Sequence, residues 1–381
     1  MALFRTRTPV DPAPSVVRTR YLVSTSGHPN YGDELIARAW LDFLAAREPE
    51  SVVWLDCPHP GRAAHLFADT HPNLRTTNTL WELAMGSETH DPAVDAARIA
   101  RLVRDLGSPR FDEGLRMLRG ADSLHLLGGG YLNSMWHDNL GLVSAAAEIH
   151  RAFDVPVFAT GQGLMPLDDA HRGWLADQFA AFSHVEVRDE PSAEITKTHR
   201  ENDDAFLALA LSRPVFAEHD SPERMVLVQG DLLAWSDEEA TESIRSFTGD
   251  NGDVDVGFAE AIPPDDLRYA NLMPDARAYS FGQLWHDGLP AKAGQHWLTT
   301  RFHAHLLAAA AGAAGTVIAG QPGYYDVKHA SLLELGTGWN VVPAGTDLSS
   351  PEARPTVDPS FPKKAKMLAA RKKALADRLY E

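Results

Sequence analysis

The chain has 381 residues, a formal net charge of -17 at pH 7, a hydrophobic fraction of 44% and a charged fraction of 23%. This length exceeds what one core usually supports and the composition is globular, so we expect two domains and exclude disordered and fibrous classes. The acidic charge excludes broad nucleic-acid binding, which needs an excess of Lys and Arg, and a small anionic substrate would need a local basic pocket.

The N-terminal extension, residues 1–20, contains basic residues and prolines but no apolar run of the length that a signal peptide requires. No later run reaches the roughly 18 apolar residues of a membrane-spanning helix. Cys57 is the only cysteine, so no intramolecular disulfide can form, and we expect a half-buried residue at a strand end rather than a nucleophile. These features together predict a cytoplasmic protein.

From about Arg20 onward, short β-rich runs alternate with amphipathic helical stretches, which predicts a parallel sheet covered on both faces. The predicted strands of this first domain, residues 21–211, are Tyr21–Ser24, Val52–Asp56, Ser123–Leu127, Pro156–Thr160 and His184–Val187. The predicted helices are Asp33–Arg47, Ala93–Leu106, Leu140–Phe153 and His171–Phe182. Ligands of such sheets bind beyond the carboxyl ends of the strands, so the loops that follow them are the candidate site.

Residues 212–223 form a polar stretch with two prolines, which predicts a linker, and the alternation then restarts. The predicted strands of the second domain, residues 224–358, are Met225–Gln229, Val254–Phe258, Arg277–Ser280, His296–Thr300, Thr316–Ala319 and Val341–Val342. Residues 359–381 contain a basic helix, which we expect to be solvent-exposed, with at most peripheral membrane contact because the protein is acidic. The predicted fold class is therefore α/β, with two Rossmann-like lobes.

The loop Gly27-His-Pro-Asn-Tyr-Gly-Asp-Glu joins the first strand to the first helix and would direct backbone N–H groups at a bound anion or sugar. It lacks the GxGxxG pattern, so dinucleotide binding has little support. Asp33 lies where a helix N-cap is expected. A purely capping role and a role as a base near the cleft both stay open for Asp33.

Three more loops follow strands of the first domain. In Leu126–Asn133, three glycines allow close approach of a ligand or a neighbouring backbone, although a tight strand-to-helix turn explains them equally well. The next loop is Ala159-Thr-Gly-Gln-Gly-Leu-Met-Pro. In the third loop, Arg188 can present its planar guanidinium to a carboxylate or phosphate, with surface ion pairing as the common alternative.

In the second domain, a helix opens directly after the strand that ends at Thr300, so Arg301 and His303 lie in a positive first turn where an anion is favoured. Arg301 can neutralise phosphate, and His303 can donate a proton or hold a carboxylate, although a structural role for His303 also stays open. His303 and His305 form a His-x-His pair, but residues two apart on a helix face different sides. With no supporting ligand cluster in the sequence, no metal site is expected.

Seven short motifs, in chain order, resemble those of the polysaccharide pyruvyl transferase family. They span roughly residues 22–336 and are Asn30-Tyr-Gly-Asp-Glu, Gly128-Gly-Gly-Tyr-Leu, Gly161-Gln-Gly-Leu-Met-Pro, Arg188-Asp-Glu-Pro-Ser, Asp204-Ala-Phe, Arg301-Phe-His and Tyr325-Asp-Val-Lys-His. The resemblance implies lobes like those of GT-B glycosyltransferases and transfer of pyruvyl from phosphoenolpyruvate onto two hydroxyls of a sugar. The products would be a cyclic ketal and phosphate. No metal or nucleotide cofactor is implied, and the acceptor would be a polysaccharide or a free, nucleotide-linked or lipid-linked precursor.

The resemblance also implies site residues. Arg188, Arg301 and His303 would hold the donor, and the wider set of substrate-binding residues is completed by Asn30, Gly129, Gly130, Gly161, Gln162, Phe302 and Lys328. His303 is our candidate proton donor and Asp33 our candidate base for the acceptor hydroxyl.

The sequence departs from the family pattern at four places. Phe302 replaces the usual Leu, Met165 replaces a Gly, Asp203 precedes Asp204, and Pro29 stiffens the first loop. None of these removes a charged donor contact, but the first two bear on the shape of the acceptor site. Two other functions fit the same architecture, namely a nucleotide-sugar glycosyltransferase and a non-catalytic sugar-binding module.

Overall fold

The computed structural model describes residues 17–381 except 232–233, 250–253, 321–322, 324 and 351–352. The strands of the N-terminal lobe are β1 (Thr19–Val23), β2 (Val52–Asp56), β3 (Leu74–Thr77), β4 (Ser123–Leu126), β5 (Val157–Gln162) and β6 (His184–Val187). Its helices are α1 (Tyr31–Arg47), α2 (Pro60–Leu66), α3 (Thr79–Met85), α4 (Pro92–Asp105), α5 (Asp112–Arg119), α6 (Gly141–Phe153), α7 (Asp169–Phe179), α8 (Glu190–Thr196) and α9 (Ala205–Ala208). A 3-10 segment covers Ser134–Leu140. Most of the predicted N-terminal extension lies outside the described residues.

The C-terminal lobe repeats this pattern. Its strands are β7 (Arg224–Leu227), β8 (Val256–Ala259), β9 (Arg277–Tyr279), β10 (His296–Thr299), β11 (Ala314–Ile318) and β12 (Asn340–Val342). Its helices are α10 (Asp237–Thr248), α11 (Phe281–Asp287), α12 (Phe302–Ala311), α13 (Tyr325–Glu334) and α14 (Phe361–Leu379), with a 3-10 segment at Asp265–Leu272. Among the described residues, no helix combines the length and the apolar character that crossing a bilayer requires.

Each lobe contains one parallel sheet, and the two sheets share one topology. The strand orders are β3-β2-β1-β4-β5-β6 and β9-β8-β7-β10-β11-β12. In both sheets the direction of winding reverses beside the first strand, between β1 and β4 and between β7 and β10. The carboxyl ends of strands at such a reversal form a crevice where ligands of α/β proteins bind. The prediction of two Rossmann-like lobes is confirmed.

The predicted strands agree with the observed ones to within two residues at each end, because most of them are buried on both faces and read as continuous apolar runs. Strand β3 was not predicted. Its sequence Leu-Arg-Thr-Thr lies at the sheet edge and is only partly buried, so it carries no such run. Cys57, expected to be half-buried, is fully buried after β2, and burial raises the pKa of its thiol, which leaves it unsuited to be a nucleophile.

The two lobes share an apolar interface. One continuous cluster of buried side chains contains Trp40 from α1 together with Trp285 and Phe302 from the C-terminal lobe. The guanidinium carbon of Arg38 lies 4.0 Å from the ring centroid of Trp285 and Nη1 donates to its carbonyl oxygen at 2.9 Å. This packing sets the distance between the two rows of strand ends, and hence the width of the crevice between them.

Helix α14 follows the C-terminal lobe but packs against both α12 and α9. The expectation that this basic helix is solvent-exposed is wrong for Lys372, which is 1% exposed. Its ammonium lies 2.6 Å from Glu186 and 3.0 Å from Asp204, both in the N-terminal lobe. Burying a charge is costly unless it is paired, and here two carboxylates pair with it, so α14 ties the C-terminus back to the N-terminal lobe.

Candidate active site

A cleft of about 660 Å³ lies between the lobes, at the carboxyl ends of both sheets. The N-terminal lobe contributes the start of α1, the glycine loop after β4 and the residue after β6. The C-terminal lobe contributes the start of α12 and of α13. The predicted site residues that line this cleft are Asn30, Asp33, Gly130, Arg188, Arg301, Phe302, His303 and Lys328.

Asp203, which was not predicted as a site residue, joins two of these groups from opposite lobes. Its carboxylate accepts from Arg188 Nη1 at 2.6 Å, and its other oxygen lies 3.4 Å from His303 Nε2. Burial opposes the charge of Asp203, but the charges and hydrogen bonds of His303 and Arg188 outweigh it and hold the pKa well below the usual value. Asp203 is therefore an anion that orients a guanidinium and an imidazole at once.

Phe302 completes the environment of Arg188. The guanidinium carbon of Arg188 lies 4.4 Å from the centroid of the Phe302 ring, a cation–π distance. A leucine at position 302 would offer no such face. The departure from the family pattern at Phe302 thus places an aromatic face against the guanidinium of Arg188.

Gly130 lets the cations of the two lobes come close. A Cβ atom at Gly130 would lie 2.8 Å from Lys328 Nζ and 3.1 Å from Arg188 Nη2, so any side chain there would displace one of them. Burial and the neighbouring charge of Arg188 lower the pKa of Lys328 well below its usual value. An anion bound between the two would favour the charged form of Lys328, so this part of the cleft is suited to a carboxylate or phosphate.

Arg301 is held by carboxylates of its own lobe. Its Nη2 lies 2.8 Å from Asp231 and also contacts Asp266, which is fully buried. Burial opposes its charge, but these two carboxylates outweigh that effect and raise the pKa of Arg301. Arg301 was expected to neutralise a phosphate, and a phosphate bound here would share this cation with Asp231.

The first turn of α1 meets His303. The N-cap of α1 is Asn30, whose side-chain oxygen accepts from the backbone N–H of Gly32, so the interpretation of Asp33 as the cap is wrong. Asp33 lies within the first turn of the helix and accepts from Asn30 Nδ2 at 2.9 Å. A Cβ atom on Gly32 would overlap the imidazole of His303. The candidate proton donor therefore packs directly on the turn that presents the candidate base.

His305 faces away from the cleft, as expected for a residue two positions from His303. It is fully buried, its ring stacks on Trp339 at 4.6 Å, and its nitrogens face His329 Nδ1 at 3.1 Å and Thr337 Oγ1 at 2.9 Å. His303 and His305 therefore cannot share a ligand.

Three residues predicted to bind substrate do not line the cleft, namely Gly129, Gly161 and Gln162. The side-chain amide of Gln162 donates to the carbonyl oxygens of Leu126 and Leu127 at 3.0 and 2.7 Å, so it supports the end of β4 from behind. Gly161 has a φ of 56° and packs against Asp204, where a Cβ atom would lie 2.7 Å from a carboxylate oxygen. These residues shape the loops of the site rather than its surface.

Asp204 anchors the glycine loop from the opposite side to Asp203. One oxygen accepts from the backbone N–H of Gly128 at 2.9 Å, from Trp40 Nε1 at 2.8 Å and from Thr160 Oγ1 at 2.6 Å, while the other faces Lys372. Of the two adjacent aspartates, Asp203 faces the cleft and Asp204 faces the core. The interlobe helix α14 is thereby linked to the loop that carries Gly130.

A family model described as polysaccharide pyruvyl transferase matches residues 30–258, more than half of the chain. The chain belongs to the polysaccharide pyruvyl transferase family. No curated protein matches the sequence significantly. The matched range includes the cleft residues of the N-terminal lobe from Asn30 onward but ends before Arg301. The cleft residues of the C-terminal lobe are therefore assigned to the site of this pyruvyl transferase from their sequence motifs and their positions in the structure.

Solved structures show the same fold at low sequence identity. UDP-GlcNAc 2-epimerase from Neisseria meningitidis, bound to UDP-GlcNAc, has a TM-score of 0.54 at 9% identity, with 96% of this chain and 100% of that chain covered. A putative UDP-N-acetylglucosamine 2-epimerase from Listeria monocytogenes has a TM-score of 0.55 at 12% identity, covering 96% and 95%. The calicheamicin glycosyltransferase CalG4 has a TM-score of 0.52 at 13% identity, covering 94% and 95%. This transferase therefore has the two-lobed GT-B architecture.

Sequence reasoning missed the carboxylates of the site, Asp203, Asp231 and Asp266. Two signals were present. Asp203 precedes a family motif as an additional acid, and Asp231 follows the carboxyl end of β7, where ligand-binding groups collect. Asp266 lies in the 3-10 segment Asp265–Leu272, which follows β8 and two prolines, and carries no comparable signal in the sequence.

Proposed function

We propose that this protein transfers the pyruvyl group of phosphoenolpyruvate to two hydroxyls of a sugar in a polysaccharide or its precursor, forming a cyclic ketal and releasing phosphate. The observation that carries the proposal is that Arg188 and His303, from opposite lobes, meet at Asp203, with Lys328 beside Arg188 at Gly130, in the cleft of a pyruvyl transferase family member. The proposed reaction needs no cofactor beyond the donor itself.

Donor binding follows from charge. Phosphoenolpyruvate carries about three negative charges, which a site must neutralise with positioned cations and dipoles. Arg188, Arg301 and Lys328 supply three such groups, and the first turn of α12 adds the partial positive charge of a helix N-terminus. Because Asp203 and Asp231 already engage the two arginines, the donor would bind by sharing these cations.

The chemistry begins with a proton on the methylene carbon. Transfer from His303 to this carbon makes C2 oxocarbenium-like, and the first sugar hydroxyl then forms a C–O bond there as Asp33 takes its proton. Phosphate leaves from C2, and the second hydroxyl closes the ketal. The new methyl group takes its proton from His303, and one of the two hydroxyl protons restores that proton to the enzyme. The other hydroxyl proton leaves on phosphate, so the overall reaction balances.

The N-terminal wall of the cleft suits a sugar acceptor. Met85 is 45% exposed and Trp136 is 39% exposed, and both line the cleft near Trp81. Aromatic and thioether faces bind the C–H surfaces of sugars, while hydroxyls need polar partners, which Asn78 and Glu82 supply on the same wall. We therefore place the acceptor on this wall and the donor against Arg188 and Arg301.

The test is phosphate release from phosphoenolpyruvate in the presence of a glycan library, followed by mass spectrometry of the ketal products. We expect acceptor-dependent release by the wild type and loss of it in His303→Ala and Arg301→Ala. His65→Ala, on an exposed face of α2, is the matched control and should keep wild-type activity. Full activity in a folded His303→Ala variant would overturn the proposed role of this residue.

Ligand-induced stabilisation separates this function from its rivals, because a ligand that binds only the native state raises its melting temperature. Stabilisation by phosphoenolpyruvate supports the proposal. Stabilisation by UDP-GlcNAc but not by phosphoenolpyruvate would instead indicate a nucleotide-sugar glycosyltransferase of the same fold. Glycan binding without turnover on any acceptor would indicate a sugar-binding module.

A further inference from the structure

Three side chains with metal-ligand chemistry meet beside the N-terminal wall of the cleft, which His137 itself lines. His137 lies in the 3-10 segment Ser134–Leu140, Asp168 precedes α7, and His171 lies in the first turn of α7. One ligand atom from each lies within 4.8 Å of the other two. Within the part of the chain that the structure describes, this is the one group of three or more His, Cys, Asp or Glu side chains with this geometry.

The hydrogen bonds of the group are incomplete. His137 Nε2 lies 2.7 Å from Asp168 Oδ2, and His171 Nδ1 lies 4.0 Å from the same oxygen. His171 Nδ1 is buried and has no hydrogen-bond partner, although buried polar atoms are rarely left unpaired. Asp168 occupies the N-cap position of α7, yet its side chain makes no capping hydrogen bond. Both observations point to a ligand between Asp168 and His171.

A second carboxylate stands behind His171. Asp91 Oδ1 lies 3.7 Å from His171 Nε2, and this oxygen also accepts from the backbone N–H groups of Ala93 and Val94 at 2.9 and 3.1 Å, where it caps α4. A carboxylate beside one imidazole nitrogen favours the tautomer in which that nitrogen carries the proton and the other nitrogen has a free lone pair. Metal-bound histidines usually have a carboxylate or carbonyl in this position. In this arrangement His171 Nδ1 is the ligand atom.

We propose that His137, Asp168 and His171 bind one divalent transition-metal ion, for which zinc has the best-matched chemistry. Two imidazole nitrogens and one carboxylate oxygen are ligands that Zn²⁺ accepts, whereas Mg²⁺ and Ca²⁺ require oxygen ligands. In a tetrahedral site with metal–ligand bonds of about 2.0–2.2 Å, neighbouring ligand atoms lie about 3.4 Å apart. Two of the three separations, 2.7 and 4.0 Å, bracket this value, and the third is within 4.8 Å, so the ligand atoms need to move by at most about 1.4 Å relative to one another to complete the site.

The site would act on the shape of the cleft. The 3-10 segment that carries His137 also contributes Met135 and Trp136 to the cleft wall, and the metal would fasten this segment to α7. The ion would lie beside the wall rather than among the groups assigned to the donor. The inference therefore goes beyond the proposed reaction and does not depend on it.

The experiment is metal analysis of tag-free protein that has been stripped with a chelator and dialysed against one divalent metal at a time. We expect about one equivalent of Zn²⁺ per wild-type chain, with a higher melting temperature than the stripped protein. Co²⁺ in the same place should give the absorption bands of a low-symmetry, four- or five-coordinate site. Mg²⁺ should give neither effect.

Variants decide whether the ion occupies this place. His171→Ala and His137→Gln should each lose the bound equivalent, and Asp91→Asn should bind about tenfold more weakly because it removes the support of His171. The side chain of His137 is 38% exposed, so its variant tests the site without threatening the fold. The matched control is His90→Ala, whose imidazole lies on the same edge but pairs with Asp138, and it should keep the full equivalent. A wild-type chain that binds no zinc at micromolar concentration, or ligand variants that bind as the wild type does, would overturn the proposal.

Discussion

Replacing Asp203 by Asn perturbs both lobes with a change of one atom. The carboxylate is 2% exposed, faces Arg188 at 2.6 Å and lies 3.4 Å from His303. The amide keeps the shape of the side chain but removes the charge, so a guanidinium that is itself 3% exposed loses its counter-ion. The imidazole of His303 loses the anion that lies 3.4 Å from its Nε2.

Two effects of different size follow. Removing one partner of a buried ion pair costs about 3–5 kcal/mol of stability, and we expect the lower end of this range because the amide oxygen still accepts a hydrogen bond. A domain with a stability of about 5–15 kcal/mol survives this loss, so the variant should fold. Loss of a positioned proton donor typically costs about 10²–10⁴-fold in rate, and disorder of Arg188 should also raise the KM for phosphoenolpyruvate.

The assay combines urea unfolding with phosphate-release kinetics, read as separate kcat and KM values. Asp204→Asn is the matched control, because it removes the adjacent buried carboxylate and its pairing with Lys372 but leaves both contacts of Asp203 in place. We expect both variants to lose stability and Asp203→Asn to lose far more kcat. If Asp203→Asn, confirmed as folded, keeps kcat and KM within threefold of the wild type, the reasoning is refuted.

Three further predictions concern the interface between lobes, the C-terminal helix and acid stability. Gly32→Ala places a methyl group on the imidazole of His303, so kcat/KM should fall at least about tenfold with circular dichroism unchanged. Lys372→Met leaves two buried carboxylates unpaired and should cost about 3–5 kcal/mol in urea unfolding, whereas Lys366→Met, on the exposed face of the same helix, should cost almost nothing. Burial lowers the pKa of His329 to about 4. Between pH 6.5 and 4, His329 is therefore protonated in the unfolded chain but neutral in the folded chain. The contribution of His329 to the free energy of unfolding is fully present above about pH 6.5 and falls by about 1.4 kcal/mol per pH unit below it. As the pH is lowered, the urea midpoint of a His329→Gln variant should therefore fall less steeply than that of the wild type.

The architecture was readable from the sequence because its signals are local. Strands of a parallel sheet buried on both faces appear as apolar runs, and glycine-rich or charged loops follow their carboxyl ends. Arg188, Lys328 and His303 were recognised because each belongs to a short motif at such a loop. The edge strand β3 was not predicted, because a half-exposed strand has no continuous apolar run in its sequence.

Tertiary structure decided the pairings, because these depend on where folding places residues that are distant along the chain, within one lobe or across the two. The sequence alone cannot show that Asp203 meets both Arg188 and His303, that Phe302 lies on the Arg188 guanidinium, or that Asp231 shares Arg301. Each of these contacts joins residues that are at least 15 positions apart. Contacts between residues so far apart along the chain produce no periodic pattern in the sequence from which they could be predicted.

The opposite error arose where local pattern suggested too much. Gln162 and Gly161 stand in a motif at a strand end, yet they contact Leu126 and Asp204 and do not line the cleft. Asp33 was expected to cap a helix that Asn30 caps. The sequence by itself determined the α/β class, the two lobes and the two arginines that line the cleft, Arg188 and Arg301, since these follow from burial and from charge at strand ends. Only the folded chain decided which cation each carboxylate holds. Asp203 pairs with Arg188 inside the N-terminal lobe and Asp231 with Arg301 inside the C-terminal lobe, while the packing of the two lobes brings His303 to Asp203. An ion pair forms wherever two charges are brought together, whatever their order along the chain.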